Sequence, residues 1–337
     1  MKRNSLCAKP MLALLLCLSL QPAVALDVTR DDVSAFIDRM VSEHQLDRDY
    51  VTAVLARAEV QQSILDAMSR PAERVMPWHE YRQIFITPER INAGVAFYAE
   101  HRDRLAQLEQ DTGVSQAMIL GIIGVESYYG RITGRNNVVD ALVTLGFEYP
   151  KRAKFFSSEL ENVFLLADEE QLDIETLQGS YAGAMGPPQF IPSSYRAYAV
   201  DGDGDGQRDL LNNWDDILAS VANYFAVHKW RAGEPVAAMA TLSDNHRVRP
   251  QDTLKLQSTV GQLSKAGALF ATELGTDAKA GIWRLDGVDG DQHWVGFHNL
   301  YVITRYNRSV MYALAAWELG NSVVAEAGAA ASSEPAG

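Results

Sequence analysis

The stretch "MILGIIGVESYYG" (Met118–Gly130) constrains the fold more than any other segment of the chain. Ser115 ahead of it is suited to cap a helix, and Gly130 is suited to stop one. The run from Met118 to Val125 is apolar enough for an interior, yet a carboxylate, Glu126, closes it. Counting back from Glu126 by helical steps lands on Ile123, Ile122 and Ile119, which share its face. Glu126 therefore points inward, where poor solvation raises a carboxyl pKa and favours the protonated form. Its place in the last turn, near the negative end of the helix dipole, pushes the same way. A carboxylic acid held protonated near neutral pH is what breaking a glycosidic bond requires of its general acid. Tyr128 and Tyr129 suit a cleft lined for sugars. A glutamate at a core edge, paired with Arg131 or Arg135, fits the same periodicity, so the pattern alone does not identify an enzyme.

Residues 1–25 read as a targeting segment. Lys2, Arg3 and Lys9 form a positive start, "MLALLLCLSL" (Met11–Leu20) a short apolar core, and Ala23-Val24-Ala25 an A-x-A cleavage site after Pro22. The apolar core is too short to span a bilayer, which takes about 20 residues. The chain is thus expected to be exported to the periplasm and cut near Ala25. Cys7 and Cys17 both lie in the segment removed, so the processed chain has no thiol, disulfide or cysteine metal ligand. Leu16 before Cys17 argues against a lipid anchor. The roughly 310 residues that remain suffice for a sizeable core without disulfides. Loss of three cations makes the formal charge of -13 still more negative, which makes the chain a poor candidate for binding nucleic acid or anionic membrane surfaces.

The expected fold is mainly α with a minor β element, without internal repeats. Residues 26–112 read as a helical domain, and "TPERINAGVAFYAEHRDRLAQLEQDTG" shows Thr87 as N-cap, Pro88 at the first helical position and Gly113 as the stop. Residues 113–232 read as a core domain with an acidic loop at 201–216. Residues 233–298 read as a small mixed subdomain with strand-like runs such as "GIWRLDG" and "HWVGFHNLYVITRY". A strand and a helix, the latter capped by Asn307, are expected over 299–320, and a disordered tail over 321–337.

"DGDGDGQRDLLNNWDD" is the sharpest local motif. Asp201, Asp203 and Asp205 fill positions 1, 3 and 5 of an EF-hand-like loop, Gly206 position 6, and Gln207 can offer its carbonyl at 7. Asn212 stands where a bidentate Glu is usual, so Asp215, or Asp216 after it, is left to close a longer loop. The implied cofactor is a structural Ca2+, and no organic cofactor is expected.

With these features in order, the chain resembles the membrane-bound lytic murein transglycosylase B family, glycoside hydrolase family 103. The resemblance rests on "GVESYYG", "YPKRAKFF", "GSYAGAMGPPQFIPSSY" with the acidic loop and "SVANYF", and "YNRSVMYALA", and covers about residues 28–320. It implies a lysozyme-like core domain with an additional helical domain and a small β-containing subdomain. It implies lytic cleavage of the β-1,4 bond between N-acetylmuramic acid and N-acetylglucosamine, leaving a 1,6-anhydromuramoyl end. Glu126 matches the catalytic acid, and the substrate's own N-acetyl group is expected to stabilise the anomeric centre. Tyr81, Ser180, Gln189, Tyr224, Tyr306, Asn307 and Tyr312 match cleft residues. Lys151 and Arg152 match a basic pair suited to the carboxylates of murein. The family's loop is closed by a later Asp, which favours Asp215. Peptidoglycan glycan strands are the implied partner, with other cell-wall enzymes as further candidates. Phe155 and Pro187-Pro188 depart from the family pattern, which bears on subsites rather than on activity.

Other chemistries find less support. A hydrolase of the same bond would need a second carboxylate, about 5 Å away as a nucleophile or farther as a base. The nearest, Asp140, reads as a cap for the helix that follows it. His293 and His298 lie in an expected strand without H-E-x-x-H, and no G-x-S-x-G occurs. A calcium-stiffened murein-binding protein without catalysis stays open.

Overall fold

The computed structural model describes residues 24–69 and 76–333. The targeting segment other than Val24 and Ala25 falls outside them, as do residues 70–75 and 334–337. The helices are α1 (Asp31–His44), α2 (Arg48–Arg57), α3 (Gln62–Ser69), α4 (Trp78–Phe85), α5 (Pro88–Thr112), α6 (Gln116–Ser127), α7 (Val138–Glu148), α8 (Ala153–Glu169), α9 (Pro192–Tyr198), α10 (Trp214–Val227), α11 (Val260–Lys265), α12 (His298–Tyr306) and α13 (Val310–Ser333). Short antiparallel pairs join β1 (Val24–Ala25) to β2 (Glu59–Val60) and β3 (Asn136–Asn137) to β4 (Gln178–Gly179). A five-stranded antiparallel sheet is formed by β5 (Ala237–Leu242), β6 (Ser258–Thr259), β7 (Ala268–Leu269), β8 (Lys279–Gly287) and β9 (Gly290–Gly296), in the order β6-β8-β9-β5-β7. None of the described helices is long and apolar enough to cross a membrane.

Helix α6 is the axis of the molecule. Every residue from Met118 to Val125 is buried, so the helix is covered on all sides rather than along one stripe. Helix α13 crosses it at backbone contact. A Cβ on Gly121 would stand 2.0 Å from the Ala316 oxygen, and one on Gly320 would stand 1.7 Å from the Ala117 oxygen. Gly320→Val is therefore expected to force α6 and α13 apart, at a cost of about 3 kcal/mol or more in a urea denaturation series. Residues 26–112 divide between two faces of the shared core. Helix α1 sets Phe36 against Phe147 of α7 and Phe164 of α8, whereas α5 packs beside α6, α10 and α13. The sheet has its own small core around Val260, Ile282, Val295 and Phe297, and Trp294 joins it to the helices through Trp78.

The α5 boundaries follow their local signals: Thr87 accepts the Arg90 N–H, Pro88 opens the helix and Gly113 ends it in a left-handed conformation. Four expectations need correction. First, helix α6 stops at Ser127, not near Gly130, because Tyr128 and Tyr129 both adopt positive φ (54° and 58°). Second, the run after β9 turns into helix α12 and places His298 on a helix, since burial of Leu300, Val302 and Ile303 overrides their strand preference. Third, α13 is capped by Ser309, whose hydroxyl accepts the Tyr312 N–H at 3.2 Å, while Asn307 ends α12. Fourth, α13 continues through the supposed disordered tail to Ser333, because its alanines favour helix propagation.

Candidate active site

Glu126 stands at the C-terminal end of α6, where the helix is held unusually tightly. The Ile123 carbonyl accepts N–H groups from Tyr128 and Tyr129 and the Ser127 hydroxyl, and Ser127 Oγ in turn accepts the Gly130 N–H at 3.0 Å. Two successive bulky residues with positive φ are strained, a feature that recurs where a site must be held in one shape. Tyr129 packs its buried hydroxyl against Gly94 and Gly124, where a Cβ would lie 2.3 and 2.7 Å away.

The Glu126 side chain keeps some exposed surface, while its carboxyl is enclosed by protein. Burial pushes its pKa up to about 7, opposed only by a hydrogen bond from the Tyr312 hydroxyl to Oε1 at 2.5 Å. No second carboxylate contributes. Neither Arg131 nor Arg135 pairs with it among the described residues, so the ion-pair alternative falls away. Tyr312 comes from α13, Tyr81 from α4 and Tyr306 from the end of α12. Burial and then the Glu126 charge hold all three hydroxyls above the usual tyrosine range, which places them around the carboxyl.

The loops beside this carboxyl are cross-tied. Tyr306 donates to the Pro188 carbonyl at 2.6 Å, and Gln189 Nε2 donates to the Thr133 and Gly186 carbonyls at 3.0 and 2.8 Å. Gln189 itself has φ of 50°. Ser180 Oγ accepts the Ala182 and Ala184 N–H groups, which leaves its proton to donate elsewhere. Tyr224 is committed to the scaffold: its hydroxyl donates to the Arg305 carbonyl at 2.7 Å, and its ring packs with Phe190, Tyr198, His228 and Tyr306. Asn307 is exposed beside Tyr306. Lys151 and Arg152 form an exposed turn before α8, with the Arg152 guanidinium 4.4 Å from the Phe155 ring centroid. Among the described residues no hydrogen bond, ion pair or ring contact joins that turn to Glu126.

Asp140 does not cap α7. Asn137 does, and Asp140 Oδ1 instead accepts the Glu59 N–H of β2 at 2.8 Å, so this carboxylate is spent on joining distant segments. Two other acids are structural: Glu159, which sequence reasoning missed, and Asp216, which it offered only as an alternative closer of the acidic loop. Glu159 is buried and accepts the Ser193 N–H and hydroxyl at 2.9 and 2.7 Å, and nothing local in the sequence marks it. Asp216 accepts the Gly202 and Asp209 N–H groups at 2.6 and 2.7 Å, clamping both limbs of the acidic loop. As the third residue of α10 it is placed to reach back over the helix start, a signal that points to this clamp rather than to a metal ligand.

In that loop Asp201, Asp203 and Asp205 each bring a carboxylate oxygen within 4.8 Å of the others. Gly204 and Gly206 turn the chain at φ of 84° and 93°, and Gly206 donates its N–H to Asp201 at 2.8 Å. Gln207 follows in register, its N–H bonded to Asp205. Three oxygen-bearing anions on a turning backbone suit a hard cation such as Ca2+. Asp215 is not gathered with them: its carboxylate pairs with Arg104 Nε at 3.0 Å. Asn213 Nδ2 reaches Asp203 instead, at 2.9 Å.

These features have counterparts in known proteins. The Transglycosylase SLT domain model matches residues 29–321. The chain is 43% identical over 299 residues to the membrane-bound lytic murein transglycosylase B of Escherichia coli strain K12, covering 86% of this chain and 81% of that one. Its structure is similar to that of the soluble lytic transglycosylase SltB1 of Pseudomonas aeruginosa, with a TM-score of 0.85 at 45% identity over 88% of this chain and 99% of that one. It is also similar to the Escherichia coli lytic transglycosylase Slt35 described in complex with calcium, with a TM-score of 0.82 at 41% identity over 90% and 96% of the two chains. Those matches confirm the lysozyme-like helical architecture with its smaller sheet, and with similarity running along most of its length the chain belongs to the transglycosylase SLT domain family.

Proposed function

We propose that this chain is a lytic transglycosylase of peptidoglycan that cleaves the β-1,4 bond between N-acetylmuramic acid and N-acetylglucosamine, with Glu126 as both acid and base. The observation that carries this is the isolation of one carboxyl, held near pKa 7 by burial and bonded to a single tyrosine hydroxyl. Protonated Glu126 gives its proton to the glycosidic oxygen as the bond to C1 breaks, and the substrate's N-acetyl carbonyl shares the positive charge at C1. The Glu126 carboxylate, steadied by the Tyr312 hydroxyl, then takes the proton from the C6 hydroxyl as that oxygen closes on C1. Glu126 ends protonated and no water is consumed. Hydrolysis would ask for a second carboxylate, and none bears on Glu126.

Tyr81 and Tyr306 wall the reacting sugar, while the free proton of Ser180 and the amide oxygen of Gln189 bind its polar substituents. Asn307, Lys151 and Arg152 lie farther along the strand, and Tyr224 supports Tyr306 from behind. The enzyme is a lyase acting on polysaccharide, exported to the periplasm by the segment that ends near Ala25. Digestion of purified sacculi tests the reading. Fragments with anhydromuramoyl ends are expected, whereas reducing ends would mean hydrolysis and an absence of fragments would mean a binder.

The acidic loop is assigned to structural Ca2+ through Asp201, Asp203, Asp205 and the Gln207 carbonyl, and Asp215 completes the set only by leaving Arg104. A bound ion would neutralise the loop's repulsion and fix it against α10. Saturating calcium is expected to raise the melting temperature by about 2–4 °C. The Asp203→Asn variant should show no such rise in the same thermal scan.

A further inference from the structure

Two arginines converge on the tyrosine that follows the catalytic helix, and neither has an acid to balance it. The Arg90 guanidinium lies 4.5 Å from the Tyr128 ring centroid, and the Arg131 guanidinium lies 5.0 Å from the same centroid. Among the described residues neither forms an ion pair. Several other arginines do hold carboxylates, Arg39 on Glu161, Arg82 on Glu318, Arg104 on Asp215 and Arg196 on Glu169, whereas Arg102, Arg135 and Arg152 also stand without one among the described residues.

The end of α6 accounts for Arg90 and leaves Arg131 unexplained. Terminal carbonyls attract a cation, and Arg90 meets that need by donating to the Gly124 oxygen at 2.6 Å, while also lying 5.4 Å from the Phe85 ring centroid. A second guanidinium on the same ring adds like-charge repulsion that the fold does not require. Arg131 is exposed and makes no side-chain hydrogen bond among the described residues. A guanidinium stacked on an aromatic ring keeps its N–H edges free for a planar, two-oxygen acceptor.

We infer that Arg131, seated on Tyr128 and backed by Arg90, recognises the carboxylates that peptidoglycan carries on its muramoyl side chains. The inference rests on the reading of Glu126 as the acid that cleaves this polymer, and Arg90 links the pair toward it: Phe85, on which Arg90 also lies, has its ring centroid 5.3 Å from that of Tyr81, whose hydroxyl feels the Glu126 charge. Lactyl and peptide carboxylates are the anionic groups on an otherwise neutral sugar chain, and a carboxylate is the partner that a pair of unbalanced guanidiniums lacks. Neither arginine is among the groups that set the proton affinity of Glu126. The site therefore acts on substrate binding and leaves the acid's titration unchanged.

The test uses the full chain carrying Glu126→Gln, which binds without turnover, titrated calorimetrically with two preparations of glycan fragments. One preparation is native, and the other has its carboxylates blocked as amides. The parent is expected to bind the native fragments roughly three- to tenfold more tightly. Adding Arg131→Gln should remove that preference while leaving the affinity for blocked fragments unchanged, and Arg131→Lys should restore part of it. Arg131→Gln weakening both preparations alike, or neither, would overturn the inference. In active protein the same substitution should leave the pH profile in place. If wild-type protein binds fragments but releases no anhydro ends from sacculi, the proposed activity fails instead, and the charge preference still reads separately.

Discussion

Glu126→Gln is expected to lower the release of soluble fragments from sacculi by about a thousandfold or more, without loosening the fold. Glutamine has the same shape, and its amide oxygen can still accept the Tyr312 hydroxyl that now bonds Oε1. It has no proton to give the leaving oxygen and cannot take one from the C6 hydroxyl, so both halves of the reaction fail together. The variant should melt at or above the wild-type temperature, because a buried ionisable group has been replaced by a neutral one. A loss of less than about tenfold would remove Glu126 from the chemistry. A loss accompanied by a large fall in melting temperature would make its role structural.

The pH dependence of stability separates the same two proteins. The pKa of Glu126 is raised in the fold from an ordinary 4.5 to about 7. The folded state therefore holds this proton more strongly than the unfolded chain. That contribution is fully present below pH 4.5 and is lost as pH rises through about 7. The loss amounts to at most about 3 kcal/mol, and to less where water reaches into the cleft. Glu126→Gln has nothing to ionise there, so its advantage over the wild type should grow across that interval and then level off. Denaturant titrations at a series of pH values measure this, and two parallel curves would contradict it. Turnover should hold up to near neutrality and fall as pH passes about 7, since the reaction begins from the protonated acid. Tyr312→Phe removes the bond that favours the carboxylate, which moves the descending limb to higher pH.

Features written in local signals were legible in the sequence. The boundaries of α5 followed from Thr87, Pro88 and Gly113, and the inward aim of Glu126 followed from its spacing to three isoleucines. What escaped depends on partners distant in the chain. Tyr312 was named through the family resemblance, but its bond to Glu126 spans 186 positions. Asp140 looked like a cap because its true partner, the Glu59 N–H, lies 81 positions away. Helix α12 defeats local preference because Val302 and Ile303 are buried by tertiary packing, and β-branched side chains accept that environment in either conformation. The acidic trio was legible from its spacing, whereas the choice of Arg104 as the partner of Asp215 requires α5 and α10 to be placed side by side. Glycine rules put the end of α6 near Gly130, yet two tyrosines take the left-handed turn, held by Ser127 and Arg90. That turn is what fixes the Glu126 end of α6, and no residue-type rule anticipates it.

The central claim is that one carboxylate drives ring closure without water, and digestion of sacculi in water enriched in heavy oxygen tests it most directly. Mass spectra of the released fragments should show anhydromuramoyl ends with no heavy oxygen incorporated. Reducing ends carrying heavy oxygen at C1 would show that water attacks the anomeric carbon, and would contradict the account.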